Sequence, residues 1–283
     1  MQGFDLNNLL QVTLKEDCPF GDLTTSLILE NDTDCHAQII SKDTGIFVGT
    51  DILENAFAEE NVRISQLLSD GSCLSPQTVI CELTGSVQAI LKWERVVLNF
   101  LQRLSGVATT TDLFVKALNN LGIHVVDTRK TTPGLRFLER KAVVAGGGVN
   151  HREGLSDMVL IKENHLMVLQ SENRLDTLPQ ILSRFKAQHP NKKIEVEVES
   201  PEQLLQWDLS QVDIIMLDNF SLESVKRGVL ICKEKGYNAD IEISGGITLE
   251  NIHYYRDLDI QRIAIGQLTH SVKALDLSVL IYD

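Results

Sequence analysis

The chain has 283 residues, 26 Lys and Arg against 39 Asp and Glu, and a formal charge of −13. A net-acidic protein is repelled by a phosphate backbone unless one face is strongly basic, which argues against nucleic acid as a partner. Apolar residues make up 43% and charged residues 23%, an ordinary globular composition. No apolar run reaches the roughly 18 to 20 residues that a membrane span needs, and the opening MQGFDLNNLL lacks the basic-then-apolar layout of a signal peptide, so a cytoplasmic protein is expected. Cys18, Cys35, Cys73, Cys81 and Cys232 are odd in number and never form a CxxC pair, which suggests neither a disulfide framework nor a zinc site.

In chain order, residues 1–30 read as a helix ending near Glu16, followed by the turn-rich EDCPFGDLTT, where Pro19 and Gly21 break the periodicity and Asp22 can cap a following turn. Between about 35 and 88, HAQIISKD, GIFVGT, VRISQLLSD, TVICELTG and SVQAILK alternate or run apolar between Gly, Asp and Pro, the pattern of a strand-rich α+β module. AILKWERVVLNFLQRLSG then places Ile90, Val97, Leu101 and Leu104 at helical spacing and is expected to stop at Gly106, with a second helix in TTTDLFVKALNNLG. After Gly122, short β-branched runs alternate with helical stretches: IHVVD, MVLIK, IEVEVE, DIIMLD, DIEIS and RIAIG. Alternation of this kind implies parallel strands with helical crossovers, in an open sheet or a barrel.

The strand ends decide between the two. They carry Asp127 to Lys130, Lys162, Glu197 and Glu199, Asp218-Asn219, Ser244-Gly245-Gly246 and Gly266. Six strands delivering polar groups or glycine to one end fit the ligand-filled mouth of a barrel. From Asp127 to His165 there are seven Lys and Arg against five acids, so this stretch is net +2 while the rest of the chain is −15. Arg129, Lys130, His151, Arg152 and Lys162 fall in loops or at strand ends, where they can converge on a small polyanion. Arg140 and Lys141 are helix-borne and read better as a solvated, acid-paired face. Ser244-Gly245-Gly246 and Gly266 lie between strands and expected helices, where bare backbone N–H groups and a helix start can hold a phosphate. Gly146-Gly147-Gly148 closes a helical stretch instead and gives no dinucleotide-binding fingerprint. Glu197 and Asp218 are expected to face the same cavity, where they can hold Mg²⁺, accept sugar hydroxyls or stabilise a cationic transition state. A carboxylate pair also suits glycoside hydrolysis, but the flanking anion sites speak against it.

Thr128-Arg129-Lys130-Thr131-Thr132-Pro133-Gly134-Leu135-Arg136, followed by AGGGVNHREGLSDMVLIKENH, resembles the signature of the quinolinate phosphoribosyltransferases, the carboxylating nicotinate-nucleotide pyrophosphorylases. EDCPFGDLTT, WERVVLNFLQRLSGVAT, EVEVES, DIIMLDNF, ISGGITLENI and GQLTHSVKALD extend the match from residue 16 to about 277, in the order this family uses. The resemblance implies an α/β chain: an N-terminal open-faced α/β sandwich over 1–105, joined by the tail 272–283, and an incomplete α/β barrel over 106–271. It implies a homodimer with shared sites, and a pentosyl transfer that joins quinolinate to 5-phosphoribosyl-1-pyrophosphate with Mg²⁺, giving nicotinate mononucleotide, pyrophosphate and CO₂ in NAD biosynthesis.

Carried over residue by residue, the resemblance gives Arg129, His151, Arg152 and Lys162 to the quinolinate carboxylates, with Arg95 reaching over from the neighbouring subunit. Thr128 belongs to the same substrate-binding set, and Lys130 contacts the phosphoribosyl donor. Glu197 and Asp218 bind the ribose hydroxyls and the metal, directly or through water; Ser244, Gly245, Gly246 and Gly266 cradle the 5-phosphate, with His270 near it. Glu197, Asp218, Lys130 and Lys162 form the catalytic set. Two rivals share parts of the pattern. A paralogous family associated with molybdenum transport keeps RKTxPG and GGG-x-x-HR but resembles the enzyme less around LIKENH, which this chain has in the enzyme's form. A silent phosphate-ligand binding barrel would lack Glu197, Asp218 or one of the cations, and all are present.

Overall fold

The protein is described from a computed structural model, which covers residues 4–120 and 122–282. Asp5 accepts the Asn8 N–H at 3.0 Å and so starts α1 (Leu6–Asp17). Asp22 does the same for α2 (Leu23–Ile28), accepting from the N–H groups of Thr24 and Thr25. There follow β1 (Asp34–Ser41), β2 (Gly45–Ile46), α3 (Thr50–Phe57), β3 (Val62–Leu67), β4 (Cys73–Leu74), β5 (Val79–Ser86) and the long α4 (Val87–Leu118). Expected strands over HAQIISKD, VRISQLLSD and TVICELTG are present as β1, β3 and β5. SVQAILK, read as a strand, is instead the start of α4 after Ser86, whose Oγ accepts the Ala89 N–H at 3.0 Å and caps the helix.

Gly106 does not stop a helix: α4 runs through it as one 32-residue element. The glycine is there for a close approach. A Cβ at position 106 would lie 2.4 Å from the Lys273 carbonyl oxygen and 3.1 Å from Ala274 Cα, so only glycine lets the C-terminal segment cross the helix. Gly106→Ala is expected to lower the melting temperature by several degrees. Overpacking costs about 1–3 kcal/mol, more than the roughly 1 kcal/mol of helix propensity that alanine returns. Gly106→Ser should be at least as destabilising, and thermal melts of both variants check this.

The chain continues through β6 (His124–Val126), α5 (Arg136–Ala145), β7 (Val159–Ile161), α6 (Glu163–Ser171), α7 (Leu178–Gln188), β8 (Ile194–Val198), α8 (Pro201–Gln206), β9 (Ile214–Asp218), α9 (Leu222–Glu234), β10 (Asp240–Ser244), β11 (Arg262–Ala264), α10 (Gln267–His270) and β12 (Leu277–Tyr282). Two compact units result: 1–112 with 132–147 and 268–283, and 113–131 with 148–267.

The first unit holds an antiparallel sheet in the order β12-β1-β5-β3, closed at one edge by the returning C-terminal strand. Ile39, Cys81 and Leu83 of this sheet are buried, as are Ile52, Leu53 and Phe57 of α3 and Trp93, Leu98 and Leu101 of α4. Helix α5 belongs to this unit because Glu139, fully buried, accepts from Arg103 Nη2 at 2.9 Å and from the Thr132 hydroxyl at 2.8 Å. Lys141 lies 2.9 Å from both Asp51 and Asp70, the acid-paired arrangement expected of a helix-borne lysine.

The second unit is a six-stranded parallel sheet in the order β6-β11-β10-β9-β8-β7 with helical crossovers, an incomplete α/β barrel. All six runs expected as strands are present. At its β6 edge, Val149 bridges Val126 and donates its N–H to the Val125 carbonyl, so the segment after the triple glycine runs beside the sheet. No helix of the described residues is long and apolar enough to cross a membrane.

Candidate active site

The C-terminal ends of the six strands surround a cavity of about 530 Å³. Its lining divides by charge. Thr128, Arg129, Lys130, His151, Arg152 and Lys162 stand among the polar and cationic wall; Glu163, Glu197, Glu199 and Asp218 form the acidic one; Asn219, Ser244 and Gly245 close the remaining side. Gly246 follows Gly245 in the same turn, and Gly266 ends the run after β11. Arg95 is exposed on α4 and His270 is exposed on α10, its Nδ1 2.6 Å from the Ser271 hydroxyl; both belong to the first unit.

On the cationic side, Thr128 Oγ1 accepts the Lys130 N–H at 3.1 Å, which bends the chain after β6 and leaves the Lys130 side chain exposed. Arg129 Nε is buried and has no hydrogen-bond partner. A buried guanidinium donor without an acceptor is costly, and the natural occupant of such a position is an anion. Arg152 is 8% exposed; burial, and after it the like charge of Arg129, hold its pKa below the ordinary value. The like charge of the two guanidinium groups is a repulsion that an anionic ligand relieves.

The acidic side is centred on Glu197, 4% exposed at the end of β8, whose Oε2 lies 2.5 Å from Lys162 Nζ. Burial pushes its pKa up to about 7; Lys162 works against this, and the Glu163 and Asp218 carboxylates add to it. Glu163, on the first turn of α6, is a fourth acid in the mouth, beside the strand-end Glu197, Glu199 and Asp218 expected from the sequence. Its neighbourhood to Glu197 follows from the direct succession of Lys162 and Glu163 at the end of β7, one strand from β8. Glu163, Glu197 and Asp218 offer only oxygen ligands, the donor set that suits a hard divalent cation such as Mg²⁺.

Asn219, a strand-end residue to which the sequence assigns no role of its own, links two parts of the site. Its φ of +55° places it in the left-handed region, which asparagine tolerates better than most residues. Its Nδ2 donates to Asp218 Oδ2 at 2.6 Å and its backbone N–H to the Ser244 carbonyl at 2.8 Å. A Cβ on Gly245 would lie 2.1 Å from Asn219 Oδ1, so the glycine is needed for this approach. Gly245 and Gly246 have φ of +88° and +65°, and Asn251 Nδ2 donates to the Gly246 carbonyl at 2.8 Å, closing the turn. The helices expected after the glycine turns are one 3₁₀ turn, Ile252–Tyr255, and the four-residue α10. Helix-end charge therefore contributes little here, and the turn's own N–H groups are what the phosphate reading relies on.

Beneath the mouth lies a second, buried polar layer. Strand side chains alternate, so Glu195 shares the inner face with Glu197, and Glu242 shares it with Ser244. His151 Nε2 lies 3.0 Å from Glu195 Oε2 and 3.3 Å from Glu242 Oε1, while Arg262 Nε donates to Glu242 Oε2 at 2.6 Å. Burial and the charge of Glu242 raise the Glu195 pKa; the Glu242 pKa is lowered because His151 and Arg262 outweigh burial. Two influences compete over the His151 ring. Burial opposes its charge but the carboxylates raise its pKa to about 9, whereas the Arg152 N–H, 2.7 Å from Nδ1, needs a lone pair there. The Arg152 N–H at Nδ1 leaves the ring proton to Nε2, beside the two carboxylates. The acids inside the apolar runs IEVEV and DIEIS were the signal for this layer in the sequence.

A family model described as Quinolinate phosphoribosyl transferase, C-terminal domain, matches residues 107–280, and its N-terminal-domain counterpart matches 22–105. The chain belongs to the quinolinate phosphoribosyltransferase family. Among its relatives, a probable carboxylating nicotinate-nucleotide pyrophosphorylase of Bacillus subtilis is 42% identical over 281 residues, covering 99% of this chain and 94% of that one. The carboxylating nicotinate-nucleotide pyrophosphorylase of Rattus norvegicus is 34% identical, with 95% and 88% covered. The crystal structure of NadC from Streptococcus pyogenes superposes with a TM-score of 0.88 at 35% identity and covers 100% of both chains. The quinolinate phosphoribosyltransferase fold, an antiparallel sheet unit and an incomplete barrel, is thus common to this chain and a solved member.

Proposed function

We propose that the barrel mouth transfers a phosphoribosyl group from 5-phosphoribosyl-1-pyrophosphate to quinolinate and releases CO₂, giving nicotinate mononucleotide and pyrophosphate. The observation that carries the reading is the pair of half-buried Arg129, whose buried Nε lacks an acceptor, and buried Arg152, facing the acids Glu197 and Asp218 across one cavity. A dicarboxylate satisfies two adjacent guanidinium groups better than a monocarboxylate does, because each can take a bidentate partner. Lys162 is placed between the halves: paired to Glu197 now, it is within the same cavity as the arginines.

The chemistry follows from this division. The cationic wall brings the dianion up to a polyanionic donor that repels it in water, and holds the pyridine nitrogen against the ribose C1. The new N–C1 bond forms as the C1–O bond breaks and pyrophosphate carries away the electron pair. Positive charge developing on the ribose is stabilised by the fixed carboxylates of Glu197 and Asp218. The C–CO₂ bond then breaks with its electron pair left on the ring carbon, where the adjacent quaternised nitrogen stabilises it, and that carbon takes up a proton from water. Glu163, Glu197 and Asp218 are the residues that would hold Mg²⁺. When bound, the metal neutralises the pyrophosphate. Asn219 orients Asp218, which meets the ribose hydroxyls, and the Ser244–Gly246 turn, which receives the ribose 5-phosphate.

The purified chain, given quinolinate, phosphoribosyl pyrophosphate and Mg²⁺, should release CO₂ and form nicotinate mononucleotide, and chelating the metal should suppress this. No turnover in any buffer sinks the reading; turnover of nicotinate in place of quinolinate redirects it. Asn219→Ala is expected to raise KM for the phosphoribosyl donor about tenfold, the loss of one charge-assisted hydrogen bond, with KM for quinolinate little changed. Asn219→Asp keeps the backbone conformation but loses the donor and should fare no better.

A homodimer with shared sites is part of the proposal. Supporting it, Phe20, Leu23, Leu27 and Ile28 are 98%, 84%, 85% and 68% exposed around α2, an apolar surface unusual for a chain acting alone. If Arg95 acts across the interface, mixing Arg95→Ala with Lys162→Ala chains restores up to about a quarter of parental activity through one intact site per heterodimer. Absence of any recovery removes Arg95 from that role.

A further inference from the structure

The layer under the mouth is expensive. Glu195 and Glu242 are fully buried, His151 is 8% exposed, and the Arg262 side chain is 13% exposed. Barrel interiors are ordinarily filled by branched apolar side chains. Burying charges costs free energy that their pairing often fails to recover, and apolar replacement of such groups is often neutral or stabilising. A layer of this kind is retained for the geometry it enforces.

That geometry centres on His151, whose backbone N–H and both ring nitrogens each lie against a protein group. Its backbone N–H donates to Asp127 Oδ1 at 2.6 Å; its Nε2 faces Glu195 and Glu242; its Nδ1 receives the Arg152 N–H at 2.7 Å. Residues 150–152 have no helix or strand of their own, so side-chain contacts such as these define their course. Arg262 pairs in register with Glu242 on the adjacent strand and holds its carboxylate in place. Two strands, β8 and β10, therefore face one ring, and the ring holds the backbone N–H of the next residue, which lines the cavity.

We propose that Glu195, Glu242 and Arg262 are positioning residues of the quinolinate subsite: through the His151 imidazole they fix the backbone of Arg152 and so the direction of its guanidinium. The His151, Glu195 and Glu242 ligand atoms lie within 4.8 Å of one another, close enough to suggest a cation site. Arg262 already occupies Glu242, and a metal ion beside a guanidinium is disfavoured.

The inference rests on the phosphoribosyl-transfer reading, and turnover by the parent enzyme tests that reading separately. With parental turnover in hand, Glu195→Gln is expected to raise KM for quinolinate about 10- to 100-fold, the scale of a misplaced binding group, while KM for the phosphoribosyl donor changes less than about twofold. In an Arg152→Ala background the same substitution should add no further loss, because its effect runs through Arg152. If Glu195→Gln does not fold, as thermal melts will tell, the charge-balanced Glu242→Gln/Arg262→Gln variant carries the same two measurements. Additive losses in the Arg152→Ala background, both KM values rising together, or one equivalent of metal bound by the parent and lost in Glu195→Gln would each overturn the proposal.

Discussion

Arg129→Ala is expected to cut kcat/KM for quinolinate by about 30- to 3000-fold while the melting temperature stays level or rises. The loss corresponds to about 2–5 kcal/mol for truncating one partner of a desolvated charge pair, at tenfold per 1.4 kcal/mol. The opposite sign for stability comes from the empty site. Arg129 has a buried Nε without an acceptor and its charge works against that of Arg152, so its removal relieves the ligand-free protein of two unfavourable interactions. A residue retained for folding gives the reverse pattern. Arg129→Lys should recover only part of the activity, since an ammonium cannot match a carboxylate bidentately. Steady-state kinetics alongside thermal melts decide the matter: a parallel fall in activity and melting temperature would place Arg129 in the framework instead of the site.

Glu197→Gln is the second large effect, an expected fall in kcat of about 10²- to 10³-fold, the scale of removing one preorganised electrostatic group at a developing charge. The amide is nearly isosteric, so the change isolates charge from shape, and Lys162, now 2.5 Å from the carboxylate, loses its partner at the same time. The parent's pH dependence follows from the same residue. With its pKa pushed up to about 7, Glu197 takes up a proton and loses its charge as the pH falls through neutrality, and activity should fall with it. Stability runs the other way. The folded chain binds this proton more tightly than the unfolded chain does, so the group favours folding most at low pH and this contribution is lost as the pH rises through about 7. An acid limb of kcat that appears in the parent, without a matching loss of melting temperature, and vanishes in Glu197→Gln is the expected result. A limb unchanged in the variant would assign it to another group.

Much of the site was legible because polar residues at the ends of apolar strands have few structural reasons to be there. Thr128 to Lys130, Lys162, Glu197, Asp218 and Ser244-Gly245 all follow β-branched runs, and the structure brings them to one cavity, whereas Asp127 is buried beneath them on the His151 N–H. Less was legible where a residue's surroundings come from distant parts of the chain. Gly106 reads as a helix stop in one dimension; in three it is the point where residues 272–274 cross α4. Residues 87–92 read as a strand, but Ser86, the last residue of β5, caps the helix that they begin. The glycine turns were seen as phosphate sites with helix starts behind them, but propensity did not foretell how short those helices are.

The sequence by itself determined the alternation of strands and helices, the cationic segment within an acidic chain, and the end of the barrel where chemistry gathers. These rest on periodicity and residue type, which are local properties. Only the tertiary structure decided which charges face each other. It set Arg129 beside Arg152, Lys162 against Glu197, and His151 over Glu195 and Glu242, pairs separated by up to 91 positions along the chain. Coulomb energy and desolvation depend on separation in space and on burial, neither of which is written in sequence spacing. The net charge of −13 is therefore silent about the polyanion this barrel mouth is arranged to receive.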